Sequence, residues 1–377
     1  MAVTNDFSAS ELDLNGNSIG SPTALVWGPD GRLYVTEQDG DIKILTVEFG
    51  DKDPLDGDNT NSFYVTDFEL NTLVKQIPNH NDDGSNAGAS VRQVTGIDVT
   101  LQYDDNGDPV TINGEPGVVM YVTSSDNRIG AGGGGNDANI DTNSGVITRL
   151  TQTDTGWEAV DIVRGLARSE ENHATNGLEV IQELDGSGKL IGERLIVANG
   201  GNANTGAPSN NFAGQQEQPY SAAILEVDLL KIKAIESSEG TKIDDGRTYV
   251  YDLPTLNDPT LDNTSVDPFG GNDGFNSAKL TADSPVQIYS AGYRNAYDVE
   301  VTEDGRVFTY DNGANNNWGG RPAGEDENAN TNSTEAENGT PTGYIATNLF
   351  VEDNTRSQGT STRRTGTSST RSRVPMT

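Results

Sequence analysis

The sequence predicts an all-β chain built from one repeated antiparallel sheet unit, and three observations carry that prediction. A strand–turn–strand pattern recurs four times, its turns are rich in Asp-Gly, and long helical periodicity is absent. Repeated sheets with this much turn chemistry read as a β-propeller, with a β-sandwich or a β-helix as weaker alternatives.

The first copy occupies residues 24–36, where Asp30-Gly31 separates two alternating β-forming runs; Asp39-Gly40 then leads into residues 41–45. Asp-Gly between alternating apolar residues is the strongest short-range hairpin signal. The second copy runs from residues 96–99 to 118–123, the third from 177–180 to 194–199, and the fourth spans 298–310 around Asp304-Gly305. Residues 145–150, 223–228 and 249–253 are outer-strand candidates. The best helical stretch, residues 228–239, is short and carries β-branched positions, which leaves its assignment open. The copies begin roughly 70 to 120 residues apart, wider than the ~40–50 of a compact blade. Two polar segments, 51–89 and 202–284, are therefore expected to be inserted loops crowding one face around a central channel.

Composition bounds the function classes. The chain has 377 residues, 58 acidic against 24 basic, a formal charge of −34 and no cysteine. A disulfide scaffold, a cysteine nucleophile and a cysteine-ligated zinc site are excluded. So acidic a surface repels phosphate backbones and anionic lipid, so neither nucleic acid nor membrane insertion is expected; cations and neutral ligands remain. No window reaches the ~18 apolar residues of a spanning helix, and the first residues have neither the basic nor the apolar region of a signal peptide. Residues 355–377 hold five Arg and no acid, while all 58 acids precede them. Such a reversal marks 355–377 as a disordered basic tail, a vector remnant or an out-of-frame read-through, and 1–354 as the propeller domain.

Chemistry-bearing residues are few. His80 lies in a polar loop and is expected to be solvated, whereas His173 lies immediately before the third inner-strand copy, beside the expected channel mouth. Position alone does not separate a structural from a functional histidine there. Residues 289–297, with three tyrosines, Arg294 and Asn295, form the corresponding lead-in to the fourth copy and could pack on a flat conjugated ring. Gln93 precedes the second copy in the equivalent place.

These residues carry a family resemblance. Residues 24–45, the Gln93-Val94-Thr95-Gly96 loop, the His173-to-Gly177 loop with Ala198 to Asn202, and Gly292-Tyr293-Arg294-Asn295 through Asp311-Asn312-Gly313 follow the order of the glucose/sorbosone dehydrogenase family. The chain resembles these soluble quinoproteins over about residues 20 to 345. The resemblance implies a six-bladed propeller, with about four blades coded here, that uses pyrroloquinoline quinone (PQQ) and calcium. It implies oxidation of a sugar's anomeric hydroxyl, an external electron acceptor and an extracellular or periplasmic location. His173 would be the general base and Arg294 would stabilise charge on the quinone oxygens. Gln93, Arg294 and Asn295 would contact the cofactor, and the carbonyls of Gly313 and Ala314 would hold calcium. Two departures stand out: Asn172 replaces the family's acid before the histidine, and Ala296 replaces its proline after the Arg-Asn pair. The rival expectation is a non-catalytic secreted propeller that binds carbohydrate or protein and holds calcium structurally. A repeat-in-toxin calcium roll is a distant third, because the glycine-rich loop 130–137 is a single copy.

Overall fold

The computed structural model describes residues 11–53, 61–81, 85–88, 91–129, 140–204, 210–212, 217–254, 278 and 280–313. The basic segment 355–377, the loop 130–137 and Ala314 lie outside the described residues. The described chain is mostly β.

Turn chemistry and two-residue alternation set the strands. The first sheet contains β1 (Leu12–Asp13), β2 (Pro22–Trp27), β3 (Leu33–Glu37), β4 (Ile42–Asp51) and β5 (Asn61–Asn71), in the order β1-β5-β4-β3-β2. Its turns fall at Asp30-Gly31 and Asp39-Gly40, as the sequence predicts, and only β1 runs parallel to its neighbour. The second sheet is built from β6 (Arg92–Leu101), β9 (Val118–Asp126), β10 (Gly145–Thr153) and β11 (Gly156–Leu166), with a small hairpin, β7 (Thr111–Ile112) and β8 (Glu115–Pro116), between its first two strands. The third sheet orders β12 (Thr175–Leu184), β13 (Leu190–Asn199), β14 (Ala223–Asp228) and β17 (Val286–Ala291). Between the last two lie α1 (Leu229–Glu239), β15 (Lys242–Asp244) and β16 (Arg247–Asp252), and a final hairpin pairs β18 (Ala296–Val301) with β19 (Val307–Asp311).

The repeat is deeper than hairpin recurrence. Each first strand carries a register shift near its start, at Pro22/Ala24, Val94/Gly96, Thr175/Leu178 and Ala296/Asp298. These four strands also pack in chain order, β6 between β2 and β12, and β12 against β18. Alternation then fills both sheet faces. On β9, Met120 and Val122 join Tyr34, Ile42 and Ile44 of the first sheet, while Val119 and Tyr121 join Leu178, Leu195 and Val197 of the third. On β13, Ile196 and Ala198 face Ala296 and Val299 of the fourth sheet. Burying both faces of successive sheets produces a stack of layers with no separate domain core.

Two sequence expectations need correction, and two points that the sequence leaves open are settled. Residues 61–71, inside the expected 51–89 insertion, are β5, a strand paired along β4. Residues 286–291 are the fourth strand of the third sheet, so only Gly292 to Asn295 form the loop before β18. Residues 247–252 leave that sheet and pair in parallel with β11 of the preceding one, a long-range choice invisible to local pattern. The open assignment at 228–239 resolves as α1, because the Asp228 carboxylate caps it by accepting from Lys231 N (2.9 Å) and Leu229 and Ile232 are buried in the core. Arg149 clamps its far turn through two 2.9 Å bonds to Glu236. No helix among the described residues is long and apolar enough to cross a membrane.

The packed first strands bring acids together. Burial, with Glu300 and Asp298 nearby, pushes the Asp98 carboxyl up to about 6; burial, with Asp98 and Glu300, pushes Glu179 up to about 7. The folded chain therefore holds protons that the unfolded chain releases near the ordinary values of 3.8 and 4.5. Their stabilising contribution is complete below those values and is lost as pH rises through the folded-state values. A thermal-melt series from about pH 4 to about pH 8 should show wild type losing stability relative to the Asp98→Asn/Glu179→Gln variant. Parallel pH profiles for the two proteins would contradict this linkage.

Candidate functional site

The loop before β12 is organised by an arginine that the sequence reading did not single out. The fully buried Arg168 guanidinium donates to the carbonyls of Asp126 (3.1 Å), Arg128 (2.7 Å), Glu171 (2.9 Å) and Ser169, drawing the turn around itself. Ser169 and His173 close the turn, with His173 N donating to Ser169 Oγ (3.0 Å) and Ser169 N to His173 O (3.0 Å). This places the His173 ring inside the protein, 1% exposed. Asn172, the residue before it, is exposed.

The ring has a defined orientation. Its Nδ1 lies 2.7 Å from Gly201 O, and since a carbonyl only accepts, Nδ1 carries the proton and Nε2 carries the lone pair. Burial, reinforced by the nearby Arg294 charge, holds the imidazole well below its ordinary 6.5, so it is neutral. Nε2 is buried and has no hydrogen-bond partner among the described residues. Histidine and arginine share one neighbour: the Phe212 ring centroid is 4.9 Å from the His173 ring, and the Arg294 guanidinium carbon is 5.9 Å from that centroid.

Three loops are tied together here. Gly201 N donates to Arg294 O (2.7 Å), joining the segment after β13 to the loop before β18. A Cβ on Gly200 would come within 2.7 Å of His173 Cβ, and one on Gly201 within 2.9 Å of Arg294 O, so this approach needs the Gly-Gly pair. Asp311, at the end of β19, accepts from Arg294 N (3.1 Å) and Asn295 N (2.7 Å), while Arg294 Nε donates to Asn204 Oδ1 (2.8 Å). Asn176 Nδ2 donates to Asn295 Oδ1 and to Ala296 O, both at 2.8 Å. The Glu217 carboxylate accepts from Asn202 N (2.8 Å), Ala203 N (2.9 Å) and Ser221 Oγ (2.7 Å), although burial raises its pKa.

Of the residues the sequence points to, His173, Arg294 and Asn295 meet in this one place. Gln93 is half-buried at the start of β6, and no described contact joins its side chain to them. Gly313 follows β19 with φ 66°. His80 is partly exposed in its loop, and its Nε2 lies 3.0 Å from the exposed Asp245 Oδ2. Sequence reasoning missed Phe212, Asn204, Arg168 and Glu217, which sit in irregular polar segments that carry no periodic signal.

Several buried polar atoms around these loops lack partners among the described residues: Asn202 Oδ1 and Nδ2, Gln218 Oε1 and Nε2, and Asn199 Oδ1, besides His173 Nε2. Each such orphan costs about 1–3 kcal/mol unless a water or ligand satisfies it. The buried guanidinium, the two amides and the apolar ring face suit a flat, polar, anionic group, while the Nε2 lone pair suits a hydroxyl donor beside it. The described part of the calcium expectation is Gly313 alone. Elsewhere, Glu37, Asp39 and Asp41 each place one carboxylate oxygen within 4.8 Å of the others, so this triad could hold a metal, but Lys43 and Lys75 already pair with it at 2.8–3.4 Å.

No protein-family model matches the sequence, and no curated protein matches it. Among solved structures, the chain is similar to the PQQ-bound form of an aldose sugar dehydrogenase from Streptomyces coelicolor, at 13% identity and a TM-score of 0.32, over 81% of this chain and 58% of that one. It is also similar to the calcium structure of a Trichoderma reesei carbohydrate-active enzyme of family AA12, at 11% identity and a TM-score of 0.17, over 77% of this chain and 90% of that one. The chain thus spans 58% of the length of the first, and superpositions this loose transfer no function.

Proposed function

We propose that this chain is a quinoprotein sugar or aldose dehydrogenase-like protein whose successive sheets are blades of a β-propeller. The observation that carries the reading is the buried His173, with Nδ1 donated to Gly201 O and Nε2 unpartnered beside Arg294. A neutral imidazole held in that tautomer is a general base, suited to take the proton of a sugar's anomeric hydroxyl at Nε2. Bound PQQ with calcium would supply the acceptor for the hydride leaving the anomeric carbon. The Arg294 guanidinium, held at Nε by Asn204 while Asp311 holds the Arg294 backbone N–H, would bind the cofactor's anionic oxygens, and Phe212 would pack on its ring. The Asn202 and Gln218 amides would donate to its polar edge, with Asn295 and Gln93 as further contacts and the Gly313 and Ala314 carbonyls as calcium ligands. Burial of the site excludes bulk water from the base.

A second reading, a non-catalytic carbohydrate- or protein-binding propeller with structural calcium, is favoured by the Glu37-Asp39-Asp41 triad. One experiment separates the two. The protein incubated with PQQ and calcium should take up the quinone stoichiometrically, read by its absorbance, and then reduce an artificial dye when an aldose is added. Calcium and sugar binding without quinone uptake would replace the enzyme reading with the binding module.

A further inference from the structure

We propose a second ligand site, for a small organic cation bearing protonated amines, in a cavity of about 530 Å³ at the outer edge of the second sheet. It lies apart from the His173 loops, between the segment around Ile77 to His80, the start of β10, the end of β11 and the turn joining β15 to β16. Its volume is in the range of small-molecule sites, which run from about 300 to about 1,000 Å³.

The ligand class follows from the charges left over. Five aspartates, three arginines and His80 line the cavity. Three pairs satisfy each other: Arg247 grips Asp161 (2.7 and 3.1 Å), Arg164 donates to Asp244 (2.9 Å), and His80 joins Asp245 (3.0 Å) across the rim. Asp141 and Asp252 have no ion-pair partner among the described residues, and Asp141 receives one backbone bond, from Asn143 N (2.8 Å). At the floor, Arg92 is fully buried and held by neutral acceptors, Asn79 Oδ1 (2.9 Å), Ser124 Oγ (3.3 Å) and O (3.4 Å), and Ser144 O. Arg164 also attracts Asp252, and Arg92 and His80 attract Asp141, yet five carboxylates face only three guanidinium groups and one imidazole, so the cavity carries an excess of negative charge with every positive neighbour counted. An anionic ligand is disfavoured, and an apolar one would strand these groups. A bare metal ion is also disfavoured, since the convergent carboxylate triad among the described residues lies in the first sheet, at Glu37, Asp39 and Asp41. An ammonium between carboxylates satisfies both charge and hydrogen bonding.

The test is calorimetric titration of the full chain with putrescine, and with 1,4-butanediol as its uncharged analogue, at about 0.15 M salt to screen diffuse attraction to the acidic surface. One saturable site for putrescine and none for the diol is expected. The Asp141→Asn/Asp252→Asn variant should weaken binding at least tenfold, while Glu37→Gln/Asp39→Asn/Asp41→Asn leaves it unchanged. Absent binding, binding untouched by the cavity variant, or equal weakening by both variants would overturn the proposal. Should the double variant fail to fold by circular dichroism, Asp252→Asn at the exposed rim decides alone, with at least a threefold loss expected and no loss overturning the site.

Discussion

Gly177→Ala should destabilise the chain by about 3 kcal/mol or more, read as a lowered urea midpoint with an unchanged slope. Gly177 stands on β12 where it meets β18, and a Cβ there would lie 2.8 Å from Asp298 Cα and closer still to the Asp298 carboxylate. The partner is backbone, so relief requires the two strands to part. Separating them would also pull on Asn176, whose amide bonds Asn295 and Ala296 across the same seam. Gly186, with nothing within 4 Å of its added Cβ, is the control and should tolerate alanine with little change. Equal midpoints for the two variants would show that the strand-to-strand approach is not what holds the sheets together.

His173→Ala should lower aldose-dependent dye reduction by about two to four orders of magnitude, the usual worth of a general base. Alanine also empties a buried site, so His173→Asn is the sharper variant: its amide can still donate to Gly201 O while Nε2 is gone. Loss of rate in the asparagine variant, with its melting temperature and quinone uptake retained, assigns the defect to the missing nitrogen. An unchanged rate removes His173 from the chemistry. Because burial and Arg294 hold this imidazole well below 6.5, its protonation should not limit the rate between about pH 6.5 and about pH 8, and activity should fall only on further acidification. A rate that climbs steeply across that range would contradict the buried, neutral base.

Much of the sheet architecture was legible because its signals are local. Asp30-Gly31 and Asp304-Gly305 determine turns within a few residues, and the alternation of residues 118–123 already dictates that two faces must be covered. Helix α1 was located at residues 228–239 but left open by the sequence, since its β-branched positions compete with a helical reading until the core accepts Leu229 and Ile232. At the site, His173, Arg294 and Asn295 stood out by lying before successive first strands. Phe212 and Asn204, which touch or hold Arg294, come from a polar segment whose role exists only once the chain has folded back.

By itself the sequence determined a cysteine-free, strongly acidic, repeated β chain with one histidine at a strand lead-in. Tertiary structure decided that this histidine is neutral and which of its nitrogens is available, because burial and a carbonyl 28 residues away set both. It also decided that β16 crosses to the second sheet, where the turn before it helps enclose a cavity with two carboxylates unpaired. Turn type and side-chain alternation act over neighbouring residues and are written in them. Proton affinity, tautomer and cavity charge are sums over distant groups and exist only in the folded chain.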